Sequence, residues 1–257
     1  GDDFDHVLID YMAEVAPAND FSAQTGRPYG TYIGLVAERF YDVTDFDNAG
    51  NLKPGIPVPA FGSVQPGDVK YKDLDGNDVV DQNDVDQIGK SAYPEWYYSF
   101  GGKIGWKGFD LEVLFQGAAG ASVNLLDNWN QTVAFIDNGN AYEIAKGAWA
   151  YYPTEGIDTR ATARYPRLTA QNNENNYQTS SLWIKSADYL KLRNLELGYN
   201  FNALKLQKAG IENLRIYLSG QNLFTFSGLL KNYNLDPERI SGYPTVKSYN
   251  VGVSITF

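Results

Sequence analysis

The chain has 257 residues, of which 43% are hydrophobic and 14% aromatic, and its formal net charge is −10 at pH 7. The acidic surplus excludes the basic footprint that a nucleic-acid partner requires. The absence of cysteine excludes disulfides, thiolate nucleophiles and cysteine-based zinc sites. No run of 18 apolar residues occurs, so the sequence predicts no transmembrane helix, while abundant Gly, Tyr and Phe favour strands and tight turns.

The first motif in chain order is an acidic segment whose oxygen-bearing groups follow the spacing of an EF-hand-type loop. The candidate calcium ligands, which include a backbone carbonyl at position 79, are Asp73, Asp75, Asn77, Val79, Asp81 and Asp84. Two residues depart from that pattern: Asp78 replaces the usual Gly, and Asp84 replaces the longer Glu. The alternative is a cluster of Asx turns that needs no metal. A bound Ca²⁺ would rigidify the loop, and no cofactor is required.

Five later segments alternate large apolar residues with small or polar ones, which is the period of a strand with one apolar face. They are residues 95–106, 109–117, 194–201, 213–226 and 249–257. Each has roughly the length that a tilted strand needs to cross a bilayer. In the third segment the apolar residues lie on odd positions, whereas just upstream of it Leu190 and Leu192 lie on even positions. This switch indicates either a strand that protrudes from the bilayer or a β-bulge at Arg193-Asn194.

The connections between these segments alternate between short and long. Lys107-Gly108 forms a two-residue hairpin turn, and a short link with a predicted helical turn at residues 203–209 follows the third segment. The connections over residues 118–182 and 225–244 are long. Because antiparallel strands alternate in direction, the short turns fall at one end of the sheet, as in outer-membrane barrels. The sequence therefore predicts an all-β fold. The turn lengths favour a membrane barrel, but the alternation alone would be the same in a soluble antiparallel sandwich.

Five aromatic residues in or beside the longest connection are expected to be exposed and to contact a sugar ring or a partner protein. They are Trp129, Trp149, Tyr151, Tyr152 and Trp183. The alternative for each is loop packing, against a partner protein or inside a barrel, with no role in sugar binding. His6 is the only histidine, and no nucleophile and base converge, so the chain is not expected to be an enzyme.

The final segment ends on an aromatic residue of its apolar face. Its alternating apolar residues are Tyr249, Val251, Val253, Ile255 and Phe257. Chain ends usually fray into water, where an apolar Phe has no partner. In a transmembrane barrel the same residue would face lipid in an aromatic girdle.

Four stretches of the sequence resemble stretches of one protein family. They are Gly67–Asn77, Gly108–Ala118, Ala187–Phe201 and Leu214–Phe226, the last continuing through Asp236-Pro237-Glu238 and Tyr243-Pro244 to Phe257. Their order and spacing cover roughly residues 26 to 257. In these stretches the chain resembles the C-terminal part of a SusC/RagA-type TonB-dependent outer-membrane transporter.

The resemblance implies the C-terminal segment of a large antiparallel transmembrane β-barrel, in the outer membrane of a Gram-negative bacterium, with the plug and N-terminal domains absent. It implies short periplasmic turns, extracellular loops at residues 42–94 and 119–186, and a terminal strand at residues 245–257. The alternating residues of that strand would be the signal read by the barrel-insertion machinery.

The implied function is TonB-dependent nutrient import. The implied partners are a SusD-like lipoprotein, TonB through the missing N-terminal part, outer-membrane lipid, and an oligosaccharide or peptide substrate. The alternative from another class is a soluble calcium-stabilised carbohydrate-binding β domain, which would stay folded and monomeric without detergent.

Overall fold

The computed structural model describes residues 27–136, 139–201 and 210–257. The chain divides into two compact units. The described parts of the first, here called the loop unit, are residues 27–93 and 122–186; the second, the strand unit, comprises residues 94–121 and 187–257. The helical turn predicted at residues 203–209 lies outside the described residues. Among the described residues, no helix is long and apolar enough to cross a membrane.

Strands dominate the described chain. In chain order they are β1 (Thr31–Leu35), β2 (Ala37–Phe40), β3 (Val58–Pro59), β4 (Val69–Tyr71), β5 (Val79–Val80), β6 (Val85–Ser91), β7 (Trp96–Trp106), β8 (Phe109–Ala119), β9 (Ser122–Asn124), β10 (Tyr151–Tyr152), β11 (Ile157–Asp158), β12 (Ile184–Ser186), β13 (Tyr189–Asn200), β14 (Asn213–Ser227) and β15 (Ser248–Thr256). The short α-helices are α1 (Trp129–Thr132) and α2 (Gly228–Tyr233). The 3₁₀ turns are Val43–Asp45, Leu125–Asn128, Glu143–Gly147 and Pro153–Glu155.

The loop unit is built from short strand pairs. The pairs β1–β6, β2–β4, β9–β12 and β10–β11 are antiparallel, and β3–β5 is parallel. Strands this short bury little by themselves, so packed side chains hold the unit together. One core cluster contains Leu35, Val69, Tyr71 and Val80, and a second contains Tyr41, Phe46 and Val64.

The strand unit is a five-stranded antiparallel sheet in the order β15-β14-β13-β8-β7. These five strands confirm the five predicted segments, with ends that differ by a few residues. The predicted hairpin turn is also confirmed: Lys107 and Gly108 have φ angles of 49° and 91°. Positive φ at both central residues is the geometry of a type I′ turn, whose twist matches that of the strands it joins.

The strand register is interrupted at one level of the sheet. Leu192 and Asn194 of β13 lie opposite the adjacent residues Phe115 and Leu114 of β8, so β13 holds one extra residue there. The same two residues lie opposite Phe224 and Gln221 of β14, which holds a further extra residue. The predicted bulge at Arg193-Asn194 is therefore confirmed. It returns the upstream leucines of β13 to the same face as the later ones.

Candidate functional site

The register assigns every residue of the five-stranded sheet to one of two faces, because directly opposed residues point the same way. One face is apolar from edge to edge. It carries Trp96, Tyr98, Phe100, Ile104 and Trp106 of β7; Phe109, Leu111, Val113 and Phe115 of β8; Leu190, Leu192, Leu195, Leu197 and Tyr199 of β13; Leu214, Ile216, Leu218, Phe224 and Phe226 of β14; and Tyr249, Val251, Val253 and Ile255 of β15. Most of these side chains are exposed, from Leu111 at 39% to Val251 at 75%.

Aromatic side chains concentrate at the two ends of this apolar face. At the end of the hairpin turn, the ring of Tyr199 lies 4.6 Å from that of Phe109 and 4.9 Å from that of Phe201. Towards the other end the aromatic residues are Trp96, Tyr98, Phe100, Phe115, Phe224 and Phe226. Aliphatic residues such as Ile104, Leu197 and Leu218 lie between the two bands.

The spacing of the bands matches the apolar band of a membrane barrel. Strand β7 runs 11 residues from Trp96 to Trp106, which is about 33 Å along the strand. At the tilt of 35–45° found in such barrels it covers about 25 Å of height, the height of the lipid-facing band.

The predicted terminal strand lies at one edge of this face. Its residues Tyr249, Val251, Val253, Ile255 and Phe257 are all exposed. The pairing of β15 with β14 extends from Ser248 to Thr256. The register thus places Tyr249, Val251, Val253 and Ile255 on the apolar face, as the alternation requires, and Phe257 directly follows the strand. The role of these five residues as an insertion signal stays a prediction.

The opposite face is polar and carries a charge network near the hairpin end. Arg215 of β14 lies 2.5 Å from Asp110 of β8 and 2.7 Å from Glu196 of β13. Asn200 donates a further hydrogen bond of 2.7 Å to Asp110. Charge-assisted bonds of this length are stronger than neutral ones, and here they join three strands across one face. Asp110 and Glu196 lie on the polar side of the sequence alternation, but that pattern does not reveal the cation that they share.

Two glycines make room for long side chains on the polar face. A Cβ added at Gly198 would lie 2.4 Å from the Arg215 guanidinium, and one at Gly252 would lie 2.2 Å from the Tyr217 ring. Both side chains therefore lie across the neighbouring strand where a glycine leaves the backbone open.

A second charge cluster joins the polar face to the connection after α2. Lys191 of β13 is 1% exposed, is bonded to Glu238, and lies 3.5 Å from Asp236. Arg193 also pairs with Glu238, and it donates hydrogen bonds to Gln116 (2.8 Å) and Asn222 (3.0 Å). Since a buried cation is costly unless it is paired, these contacts hold the 236–246 segment against the sheet.

The two carboxyl groups of this cluster have lowered pKa values. Burial opposes ionisation of Glu238, but hydrogen bonds from Lys191, Arg193 and Tyr189 outweigh it and lower its pKa. Burial likewise opposes ionisation of Asp236, while backbone N–H groups of Glu238 and Thr245 and the charge of Lys191 lower its pKa. Both groups are therefore carboxylates at neutral pH.

The structure brings together three of the six predicted calcium ligands. Carboxylate oxygens of Asp73, Asp75 and Asp84 lie within 4.8 Å of one another. Asn77 and Asp81 instead accept hydrogen bonds from the backbone N–H groups of Val79 and Asn83. Calcium binding stays a prediction, because both predicted alternatives, a cation site and Asx turns, use these oxygens.

Asp84 is the structural centre of this acidic loop. It is fully buried, and its two oxygens accept backbone hydrogen bonds from Leu74 (2.6 Å), Asp75 (3.3 Å) and Asp81 (2.8 Å). Partial desolvation and the charges of Asp84 and Asp73 raise the pKa of Asp75. A divalent cation between these three groups would relieve that repulsion.

Two of the five predicted contact aromatics are buried, so the expectation of exposure is wrong for them. Trp183 is 1% exposed, stacks on Tyr177, and donates its indole N–H to the Asn176 carbonyl at 2.8 Å. Trp149 is 9% exposed and packs over Gly67. Both rings pack inside the loop unit, because a large ring gains most by burial there.

The other three predicted aromatics have accessible rings. Trp129 and Tyr152 are exposed, and Tyr151 is half-buried. Arg160 already covers the Tyr151 ring, with its guanidinium carbon 3.8 Å from the ring centroid. Contact of these three with a ligand or partner stays a prediction.

Comparisons with known proteins agree with this geometry, although no family model matches the chain. TonB-dependent receptor P3 of Formosa agariphila is 26% identical over an alignment 269 positions long, which covers 96% of this chain and 24% of that receptor. TonB-dependent receptor SusC of Bacteroides thetaiotaomicron is 25% identical, over 100% of this chain and 22% of that receptor. The chain therefore spans about a quarter of the length of these relatives.

The fold is similar to that of a solved transporter. The structure of the RagAB peptide importer in the "open-open" state superimposes with a TM-score of 0.59 at 20% identity, over 90% of this chain and 23% of the matched chain. A second structure, titled the RagAB peptide transporter, gives a TM-score of 0.58 at 21% identity. These relatives are named as receptors and transporters, which fits the expectation that the chain is not an enzyme.

Proposed function

We propose that this chain, which is similar in sequence to TonB-dependent receptors and in fold to RagAB, forms part of the wall of an outer-membrane nutrient importer. Receptors of this type reside in the outer membrane of Gram-negative bacteria. The five long strands cross the bilayer, and the remaining strands of the barrel belong to the three quarters of the receptor that this chain does not span.

The observation that supports this function most strongly is the unbroken apolar face. A soluble sheet covers such a face with a second layer, since exposed apolar patches of this extent are rare on soluble monomers. Within the described residues of the strand unit the face is open, and aromatic bands border it at the distance that a bilayer requires.

The opposite face then lines the interior of the barrel. Its charges are joined into networks by Arg215 and by Lys191, which is how charges are retained on the wet side of a membrane wall. The short hairpin turn lies at the periplasmic end of the sheet, and the long connections lie at the extracellular end.

We extend the proposal to the partners and the substrate. The importer acts with a SusD-like lipoprotein, is energised through TonB, and takes up an oligosaccharide or a peptide. The RagAB structures, which share the fold, are titled a peptide importer and a peptide transporter, and this supports a peptide as one of the two candidate cargos.

The test is the environment of the two faces in the full receptor, reconstituted in lipid vesicles. Spin labels placed singly at Val113, Leu197 and Val253 should collide with oxygen and be shielded from a water-soluble nickel reagent. Matched labels at Asn250 and Ser254, on the other face of β15, should show the reverse. Water access at all five positions would reject the transmembrane assignment and would favour a soluble β domain.

A further inference from the structure

The loop unit contains a polar cleft that the proposed membrane wall does not use. Its volume is about 770 Å³, within the range of small-molecule sites. One wall is formed by residues 61–63 and 65, and the other by residues 167–174.

A single buried carboxylate positions both walls. Asp68 is fully buried and accepts a hydrogen bond of 2.8 Å from the backbone N–H of Gln65, in the first wall. In the second wall, Arg167 donates to it from Nε at 2.7 Å, and Asn173 donates from Nδ2 at 3.0 Å. The backbone N–H of Arg167 also donates to the carbonyl of Gly67 at 2.8 Å. The walls are therefore held in place before any ligand binds, which lowers the entropy cost of binding.

The groups that this cleft offers to a ligand are mostly neutral hydrogen-bonding groups. The side chains of Ser63, Gln65, Gln171 and Asn172 line it, are exposed, and form no hydrogen bond with other described residues. Amides supply both donors and acceptors, as a ligand rich in hydroxyl groups requires.

The charges and the apolar area of the cleft narrow the ligand class further. The cationic Arg167 is neutralised by Asp68, while the carboxylate of Glu174 disfavours an anionic ligand. The apolar lining is limited chiefly to Phe61 and Leu168. A peptide would bring charged termini and apolar side chains, for which this cleft has few complementary groups.

We propose that this cleft is a binding subsite for a short segment of a neutral oligosaccharide. The inference rests on the proposed function, because it names the substrate class of that importer and adds a site on the loop unit. Gln171 and Asn172 are the residues that hydrogen-bond the sugar hydroxyls, and Phe61 supplies a flat apolar surface for a ring.

The experiment measures binding of short neutral oligosaccharides, and in parallel of short peptides, to the full receptor in detergent. The test variant is the double substitution Gln171→Ala with Asn172→Ala, which leaves the Asp68 contacts intact. The matched control is Asn48→Ala, an exposed amide outside the cleft. Loss of two neutral hydrogen bonds should weaken oligosaccharide binding by about tenfold or more, and the control should bind like the parent.

The outcomes separate this inference from the proposed function. If the double variant binds oligosaccharide as the parent does, the cleft is not the binding site. The spin-label result for the membrane wall would be unaffected. Peptide binding that the double variant weakens, without oligosaccharide binding, would overturn the assigned ligand class. If the receptor binds neither class of ligand, but its spin labels confirm the lipid-facing strands, the proposed subsite is overturned and the proposed membrane wall is not.

Discussion

The loop unit and the strand unit place their apolar residues in opposite ways. In the loop unit the largest side chains are inside: Trp183, Tyr41 and Tyr71 are each 2% exposed or less. In the strand unit, Ile104 is 71% exposed and Val251 is 75% exposed, and the buried interior positions include the charged Lys191.

On the proposed function, this difference adapts one chain to two solvents. Burial of apolar surface away from water drives the folding of the loop unit. In the strand unit the main-chain ladders and the paired charges satisfy the polar groups, and in the proposed membrane wall the apolar face contacts lipid. Substitution of the same residue type should therefore change the free energy of unfolding by different amounts in the two units.

A matched pair of tryptophan substitutions gives the largest expected contrast. Trp183→Ala should lower the free energy of unfolding by about 3–5 kcal/mol, because it leaves a cavity between Tyr165 and Tyr177. Trp106→Ala, at a residue 68% exposed, should cost no more than about 1 kcal/mol. Denaturant unfolding of the receptor in lipid vesicles measures both values. Equal losses would show that the two units do not differ as the exposures indicate.

An arginine scan of one strand sharpens the contrast between the faces of the sheet. Leu218→Arg places a charge in the middle of the apolar face and should destabilise the inserted receptor by about 2–4 kcal/mol. Ser219→Arg is the matched control, since the next residue along β14 faces Glu196 on the polar face. It should cost less than about 1 kcal/mol, and similar costs for both variants would contradict a lipid-facing surface.

The sequence predicts the sheet well, because its signals are local. A two-residue period marks each strand, and Lys107-Gly108 marks the tight turn. The change of parity before Asn194 revealed the extra residue of β13. The extra residues of β14 left no such sign. Relative to β8 that strand holds two of them, between Gln221 and Phe224, and an even number of insertions leaves the alternation unchanged.

The contacts between distant segments could not be predicted. Glu238 meets Lys191 across 47 positions of sequence, and Asn176 meets Asp68 across 108. Neither pair leaves a periodic pattern. For the same reason the burial of Trp183 was missed, since it depends on residues that fold over it, such as Asn176 and Tyr165.

The cluster around Lys191 should make one part of the strand unit sensitive to pH. The lowered pKa of Glu238 means that its stabilising contribution is present above its unfolded pKa of about 4.3 and is lost as pH falls through the folded value. The Thr245 amide, which donates to Asp236, should therefore exchange hydrogen faster below about pH 4, after correction for intrinsic rates.

The variant Glu238→Gln tests the same cluster at neutral pH. It should weaken the attachment of the 236–246 segment to the sheet by about 1.5–3 kcal/mol, as expected for lost hydrogen bonds to a charged group. It should also reduce the pH dependence of Thr245 exchange to the part that Asp236 contributes. Glu155→Gln, an exposed carboxyl of the loop unit, is the control. If the corrected exchange rate of the Thr245 amide in the parent protein does not change with pH, ionised Glu238 does not hold the 236–246 segment on the sheet.

The smallest expected effect is that of calcium on the loop unit. If Asp73, Asp75 and Asp84 bind Ca²⁺ with a Kd of about 0.1 mM, typical of extracellular modules, 1 mM free Ca²⁺ stabilises that unit by roughly 1.4 kcal/mol. Thermal unfolding with and without a chelator measures the shift. Asp75→Asn should abolish it. Asp47→Asn should preserve it, because Asp47 lies outside the three-carboxylate group and forms its own turn with Ala49 and Asn51. A shift that persists in Asp75→Asn would place the cation elsewhere. If calcium does not shift the thermal unfolding of the parent, the acidic turn is held by the backbone hydrogen bonds to Asp84 and needs no cation.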